Sequence, residues 1–194
     1  YASGATLSTA ALGVFLDPSY EGDGLKIKEI IKRGPFAVKK NEVTPGSIIE
    51  KIDGTDIKAG EDYNALLDGK AGKNIRLTIK NAKGKRFDLT IKAISQGAQQ
   101  ELLYKRWVDR NRAIVDSVSH GRIAYVHVKA MNSESFRTVY SELLSEKNRT
   151  KDAVIVDERH NGGGWLHDDL CTLLSGKQYQ EFVPHGKVVG KDPF

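Results

Sequence analysis

The chain has 194 residues, of which 39% are hydrophobic and 28% charged, so it is too apolar for a disordered protein. Its 30 Lys and Arg residues outnumber 25 Asp and Glu residues, and the basic residues are spread along the sequence. This mild excess is a weak sign of nucleic-acid binding, and a solvated basic surface is the favoured interpretation. No apolar run reaches the roughly 18 residues of a membrane helix, so no membrane span is expected.

Few residues of the sequence suit a metal site or a disulfide bond. The single cysteine, Cys171, excludes an internal disulfide and a cysteine-based zinc site. His160 and His167 are seven positions apart, whereas zinc ligands on a helix stand at i and i+4. We therefore expect no metal and no cofactor. The sequence opens on Tyr1 instead of Met, which predicts a processed or partial N-terminus and leaves any targeting signal undefined.

Residues 1–95 are predicted to form a small β-rich domain. Short apolar runs alternate there with Gly, Pro, Asn and Asp, as is typical of strands joined by turns. Two of these runs, 75–79 and 87–91, alternate apolar and polar residues on either side of a turn at 81–84, which predicts a hairpin. A short helix is predicted between strands at 61–67.

The pattern becomes helical after residue 96. Apolar residues recur there at helical spacing with charged residues opposite, which predicts a linker helix within 96–120. Because the pattern has a period near two before this segment and alternates between two and 3.6 after it, we expect two folding units. The second unit is predicted at 121–194.

The second unit begins with a strand, a helix and another strand. The first strand is predicted at 122–128, the helix begins near Asn132 or Ser133, and the second strand is the apolar run 153–156. A crossover of this length predicts a right-handed parallel pair. An unbroken apolar run indicates a strand buried on both faces.

Three consecutive glycines follow Asn161, directly after the second parallel strand and before a helix that carries Leu166 and Leu170. Such a run indicates positive φ or close approach of the backbone. The N–H groups of a strand-to-helix turn, beside the positive end of a helix, can donate to a developing negative oxygen. A tight turn chosen for packing is the alternative. Phosphate binding fits poorly, because neither the G-x-G-x-x-G spacing nor a following Lys-Ser/Thr pair is present.

Five sequence segments together carry a family resemblance. The segment DERHNGGG at 157–164 resembles the D-x-R-x-N-G-G-G element of the tail-specific (C-terminal processing) serine peptidase superfamily. YKRWVDRNR at 104–112, with GRIAYVHV at 121–128, is similar to tricorn-type members of that superfamily. Upstream, ALGVF at 11–15 resembles the carboxylate-binding loop of a PDZ domain, and VTPGSIIEKIDG at 43–54 is similar to its x-P-G-D-x-I-x-x-I-D-G signature.

The resemblance implies a fold of the α+β or α/β class. It implies a PDZ-like domain at 1–95, a linker helix at 96–120 and a partial βαβα peptidase core of the ClpP/crotonase type at 121–194. The whole protein is then a serine-type peptidase acting on peptides or unfolded polypeptides. Its nucleophilic serine lies on a later turn in the family, so we expect it outside these residues and the chain alone to be inactive. Tricorn-type members are cytoplasmic and many tail-specific relatives periplasmic, which leaves the compartment open.

The resemblance also assigns roles to individual residues. A glycine N–H of the turn supplies half of the oxyanion hole in the family, which places this donor at Gly163, with Gly162 and Gly164 as alternates. The expected supports of the turn are Asp157, Arg159 and Asn161. The expected peptide-binding residues are those of the loop, the following strand and the short helix, namely Leu12, Gly13, Val14, Phe15, Leu66 and Leu67.

Other interpretations of the sequence stay open. In one, the chain is part of a PDZ-containing adaptor that binds peptides, and its α/β half is only structural. In another, the PDZ-like groove is closed and acts as a lid that gates access to a peptidase site. The exposed edge of an incomplete parallel sheet also leaves pairing into a homo-oligomer open.

Overall fold

The computed structural model describes residues 8–37 and 42–192, so residues 1–7, 38–41 and 193–194 of the predicted domains lie outside it. The chain divides into two compact units, one ending at Arg106 and the other beginning at Trp107. The strands of the first unit are β1 (Ala10–Ala11), β2 (Val14–Leu16), β3 (Leu25–Ile30), β4 (Ile48–Ile52), β5 (Thr55–Asp56), β6 (Asn74–Lys80), β7 (Arg86–Lys92) and β8 (Ile94–Ser95).

The remaining elements begin with the long helix α1, which spans the boundary between the units. Together they are α1 (Gln96–Val118), β9 (Ile123–His127), α2 (Ser133–Leu143), β10 (Ala153–Asp157), α3 (His167–Leu174), β11 (Gln180–Phe182) and β12 (Gly190–Asp192). Among the described residues, short 3-10 helices lie at Tyr63–Leu66 and Pro184–Gly186. This mixed α and β composition confirms the predicted fold class, and no helix in the described ranges is long and apolar enough to cross a membrane.

An antiparallel sheet forms the body of the first unit. Its strands lie in the order β2-β3-β4-β6-β7, and β5 pairs with β4. The predicted hairpin is present as β6 and β7, in a register that pairs Ile75 with Ile91 and Ile79 with Phe87. Because side chains alternate between faces along a strand, Ile75, Leu77 and Ile79 all reach the core and are at most 1% exposed.

A second, smaller ladder joins the two ends of the first unit. Strand β1 pairs with β8 in antiparallel fashion, with Ala10 opposite Ser95 and Ala11 opposite Ile94. The Ser95 hydroxyl then accepts the N–H of Ala98 at 3.1 Å, which satisfies a free donor at the start of α1. The predicted linker helix therefore begins directly where the ladder ends.

The second unit contains the predicted parallel pair. Strands β9 and β10 run parallel, with Ile123 opposite Ala153 and His127 opposite Asp157. The crossover helix α2 is capped by Asn132, whose side chain accepts the N–H of Ser135 at 2.9 Å. A small core lies on one side of the pair and consists of Val126, Val128, Val139, Leu166 and Leu170.

The expectation that the 153–156 strand is buried on both faces is wrong. Val154 is 37% exposed and Ile155 is 43% exposed. An apolar run predicts burial only if neighbouring elements cover both faces, and in the described residues β10 pairs with β9 alone. Because consecutive side chains of a strand point to opposite faces, both faces of β10 are therefore partly exposed.

Candidate functional site

The glycine turn lies where the sequence places it, directly after the carboxyl end of β10. Asn161 joins this turn to the neighbouring strand, because its side-chain N–H donates to the carbonyl of Val128 at 2.9 Å. Its side-chain oxygen accepts the N–H of Gly163 at 2.8 Å. One amide side chain thus fixes both the position of the turn and the direction of the Gly163 N–H.

Gly164 explains why the turn needs glycine. Its φ is +148°, and a Cβ there would come within 2.6 Å of the Met131 Cβ. A side chain at Gly164 would require either strain in this backbone or a shift of the loop before α2. Gly162 is different, since a Cβ added to it meets nothing within 4 Å.

Asp157 is the centre of a hydrogen-bond network beneath the turn. Its carboxylate accepts the N–H of Arg159 at 3.0 Å and the Arg159 guanidinium Nη2 at 2.5 Å. The Tyr125 hydroxyl donates to the same carboxylate at 2.6 Å, and Asn111 donates to Tyr125 at 3.2 Å. Asp157 is 7% exposed, so these donors replace the water that a carboxylate otherwise binds.

The network changes the acidity of its members. Hydrogen bonds from Arg159, above all, hold the pKa of Asp157 far below its ordinary value, against the opposing effect of burial. Burial raises the pKa of Tyr125, and its hydrogen bond to Asp157 raises it further. Asp157 is consequently a fixed anion at neutral pH. This charge state suits a structural support of the turn and is unsuited to proton transfer.

His127 and Trp107 complete the surroundings of Arg159. The buried His127 Nε2 lies 2.9 Å from the Arg159 carbonyl, and because a carbonyl only accepts, this nitrogen carries a proton. The Trp107 ring meets the His127 ring edge to face at 4.8 Å. The Arg159 guanidinium lies 5.2 Å from the centre of the Trp107 ring, within cation–π range. Arg159, which precedes the turn, is thus contacted by His127 at its carbonyl and by Trp107 at its guanidinium.

An open cavity of about 720 Å³ lies beside this network. Its lining includes Tyr125, Ile155, Asp157 and Arg159. Tyr125 and Asn111 were not predicted as supports of the turn. Tyr125 lies two residues before His127 on the neighbouring parallel strand. This position indicates a support of the turn only when the register of β9 and β10 is known.

The predicted peptide groove lies in the first unit, between β2 and the 3-10 helix at Tyr63–Leu66. Within the described ranges β2 pairs only with β3, so it is an edge strand of its sheet. The cavity here is about 80 Å³ and is lined by residues of the loop, the strand, the 3-10 helix and α1, including Leu12, Val14, Tyr63, Leu67, Gln96 and Gln99. Such a volume is far below the roughly 300–1,000 Å³ of ligand pockets.

The six expected groove residues occupy different places. Leu12 and Val14 are buried and line the cavity with Leu67, whereas Leu66 packs against the main core of the unit. Phe15 is 38% exposed. Gly13 is buried between them with a φ of +71°.

One cluster of described side chains has the composition of a metal site. Single ligand atoms of His167, Asp168 and Asp192 lie within 4.8 Å of one another. The Tyr179 hydroxyl donates to Asp168 at 2.5 Å, which raises the pKa of Tyr179. Exposed acidic groups often cluster in this way without an ion.

Comparison with known proteins divides the chain in the same way as the structure. Residues 19–96 match the family model of the tricorn protease PDZ domain, and residues 122–192 match that of peptidase family S41. The glycine turn lies in the second match together with Tyr125, Asp157 and Arg159, whereas Asn111 lies between the two matches. The 3-10 helix of the groove lies in the first match.

Individual relatives agree with these two matches. The tricorn protease of Thermoplasma volcanium is 25% identical over 162 residues, which make up 84% of this chain and 14% of that protein. A tricorn protease homolog of Saccharolobus solfataricus is 31% identical over 171 residues, 88% of this chain and 15% of its own length. The chain therefore spans only a small part of each relative.

A solved structure shows the shared fold. A crystal structure of tricorn protease superposes on 96% of this chain, and on 18% of its own, with a TM-score of 0.71 at 24% identity. The order of the two matched regions confirms the resemblance drawn from the sequence. The chain is thus a tricorn-like member of peptidase family S41, with a PDZ domain in its first half and peptidase-family sequence in its second.

Proposed function

We propose that this chain is part of a serine-type peptidase in which the 161–164 turn supplies an oxyanion donor. The PDZ-like groove binds the polypeptide substrate or gates its access. The nucleophile in this proposal lies outside the 194 residues. The names of the relatives, all tricorn proteases or their homologs, support the reaction class.

One observation carries the proposal, namely the arrangement of Asn161 at the carboxyl end of the parallel pair. Open α/β sheets bind their ligands at this end. Asn161 holds the turn against the Val128 carbonyl and orients the Gly163 N–H at the same time. The direction of this amide is thus fixed before negative charge develops on the substrate, which limits the reorganisation that its use as a donor requires.

The Gly163 N–H is paired with the Asn161 oxygen in the structure, so its use as an oxyanion donor involves an exchange of acceptors. A tetrahedral oxyanion is a stronger acceptor than a neutral amide oxygen, which favours the exchange. One such donor contributes about 2.7–4 kcal/mol to transition-state stabilisation. Gly162 and Gly164 are the alternate donors.

The groove half of the proposal depends on the free edge of β2. An extended polypeptide can add to such an edge through backbone hydrogen bonds, and side chains of the strand then provide selectivity. The apolar side chains of Leu12, Val14 and Leu67 at this groove suit an apolar residue of the substrate.

The proposal is tested in the longer protein that contains this chain, by steady-state hydrolysis of a fluorogenic peptide. Asn161→Ala removes both hydrogen bonds of the turn, and we expect kcat to fall by about 10- to 100-fold with KM changed less than about twofold. Glu158→Ala is the matched control, because this exposed side chain belongs to the same turn.

A loss of kcat confined to Asn161→Ala supports the oxyanion role. If Asn161→Ala retains the wild-type kcat, or if only KM rises, the turn does not act on the transition state and the proposal fails. Circular dichroism of both variants shows whether the fold is retained.

A further inference from the structure

The loop at 12–14 already holds an acceptor from the same chain. The N–H of Gly13 donates to the side-chain oxygen of Gln99, in the first turns of α1, at 3.0 Å. Gln99 is half-buried, whereas its neighbours in the helix, residues 96–98 and 100, are exposed. The side chain of Gln99 is therefore directed into the groove and not into solvent.

Secondary structure fixes this contact. The β1–β8 ladder pairs Ala10 with Ser95 and Ala11 with Ile94. Because this antiparallel ladder is only two residues long, the loop after β1 and the start of α1 stay close although they leave it at opposite ends. The serine cap at Ser95 starts the helix at once. Gly13 leaves no room for a side chain, because a Cβ there would lie 2.4 Å from the Pro35 Cδ. The backbone positions of Gly13 and Gln99 are therefore fixed independently of the Gln99 side chain.

The helix also contacts β2 further along. The Arg106 guanidinium lies 5.9 Å from the centre of the Phe15 ring and forms an ion pair with Glu29, the register partner of Phe15. Gln99 and Arg106 are separated by two helical turns. The first part of α1 accordingly lies alongside β2, and the Gln99 contact is one of two.

A carboxamide oxygen offers the Gly13 N–H the same kind of acceptor as a carboxylate oxygen. Since Gly13 is buried, its N–H needs an acceptor when no ligand is present. Gln99 meets this need, and together with Gln96 it reduces the cavity to about 80 Å³. An incoming C-terminal carboxylate finds neither a free donor at Gly13 nor space for its last side chain.

We propose that Gln99 is an internal ligand of the 12–14 loop and sets the specificity of the groove by excluding free C-terminal carboxylates. This inference rests on the proposed function only in taking the groove as the polypeptide-binding site. It requires no catalytic step, so it is testable in this chain by binding alone.

The experiment compares three variants of the full chain. Gln99→Ala empties the loop, Gln99→Glu keeps an acceptor there and adds a negative charge, and Gln100→Ala is the matched control on an exposed neighbour. The probe is a fluorescein-labelled, alanine-rich heptapeptide that ends in leucine, with either a free or an amidated C-terminus. Fluorescence anisotropy measures its Kd, and amide hydrogen exchange by NMR reports on the Gly13 N–H.

We expect the wild type and Gln100→Ala to bind both peptides equally weakly. Gln99→Ala is expected to bind the free-acid peptide at least tenfold tighter than the wild type does, with no gain for the amidated peptide. Its Gly13 amide, without peptide, is expected to exchange at least tenfold faster. Gln99→Glu is expected to gain nothing, because the loop stays filled and the added charge repels a carboxylate.

Two results overturn the inference while leaving peptide binding intact. One is a wild type that already prefers the free acid by tenfold or more. The other is unchanged Gly13 exchange in Gln99→Ala. If Gly13 exchange accelerates but no variant binds either peptide, the exclusion of carboxylates by Gln99 is wrong and the groove itself loses its proposed peptide-binding role.

Discussion

The two units of this chain differ in how they bury their sheets. In the first unit, Ile49, Leu77 and Ile79 from the central strands are fully buried. In the second unit, the parallel strand β10 leaves Val154 and Ile155 more than one third exposed. The predicted site residues of the turn therefore follow a strand that is partly exposed on both faces. Its order depends more on hydrogen bonds than on apolar packing.

This difference shows how a site can be rigid without a large core. The turn in the second unit and the residues before it are held by Asn161, by the Asp157 carboxylate and by His127, each through a hydrogen bond. The groove in the first unit is rigid because it belongs to a well-packed sheet. The variants below test whether stability is distributed in this way.

The largest effect is expected from a matched pair of isoleucine truncations. Ile79→Ala in β6 removes a fully buried side chain and should lower the free energy of unfolding of the first unit by about 3 kcal/mol. Ile155→Ala in β10 removes a side chain that is 43% exposed and should cost the second unit less than about 1 kcal/mol.

Urea unfolding can separate the two units. Both tryptophans, Trp107 and Trp165, belong to the second unit, so their fluorescence reports on that unit alone. NMR signals of β6 and β7 amides report on the first. Equal losses from the two truncations would contradict the contrast in burial.

A smaller effect is expected from the carboxylate network. Asp157→Asn removes an anion that holds Arg159 and Tyr125, and should destabilise the second unit by about 2 kcal/mol at pH 7. The pKa of Asp157 is lowered by folding, so the stabilisation is present above the unfolded pKa, about 3.9, and is lost as the pH falls below it. The difference between wild type and variant should therefore shrink from pH 7 to pH 3.

Asp152→Asn provides the control for this prediction. Asp152 is an exposed partner of Arg122 in the same unit, and its loss should leave the urea midpoint of tryptophan fluorescence unchanged. A difference between wild type and Asp157→Asn that stays constant with pH would show that the carboxylate charge is not responsible.

The smallest effect is expected from the glycines of the turn. Gly164→Ala places a Cβ against Met131 in a strained backbone and should destabilise the second unit by about 1–2 kcal/mol. Gly162→Ala meets open space and should change stability by less than about 0.5 kcal/mol. Tryptophan fluorescence in urea distinguishes the two, and equal midpoints would show that the turn adapts freely.

Local patterns were enough to predict most of the fold. Alternation at 75–79 and 87–91 predicted the β6–β7 hairpin, and the capping pattern near Asn132 predicted the start of α2. The burial of β10 was mispredicted, because an apolar run does not reveal how many elements cover it. A long strand is predictable from the regular alternation of its own residues. Its burial depends on which other elements of the fold pack against it.

The segment of the candidate site could be named from the sequence, its hydrogen bonding could not, and the role of its glycines stays a prediction. The resemblance of the 157–164 segment located the turn, yet nothing in the sequence indicated that the Gly163 N–H is paired with Asn161. The contact between Gly13 and Gln99 joins residues 86 positions apart. Neither periodicity nor a motif connects two such residues, because the contact arises from the pairing of β1 with β8.

That pairing gives the first unit a property of its own. Residues Ala11 and Ile94 face each other across two antiparallel strands, so the two ends of the segment that contains the main sheet lie about 5 Å apart. A domain with adjacent ends can be inserted into a host protein at a single surface position without separating the flanking segments of that host. A segment whose two ends are paired in this way can be gained or moved as one piece without a redesign of the protein around it.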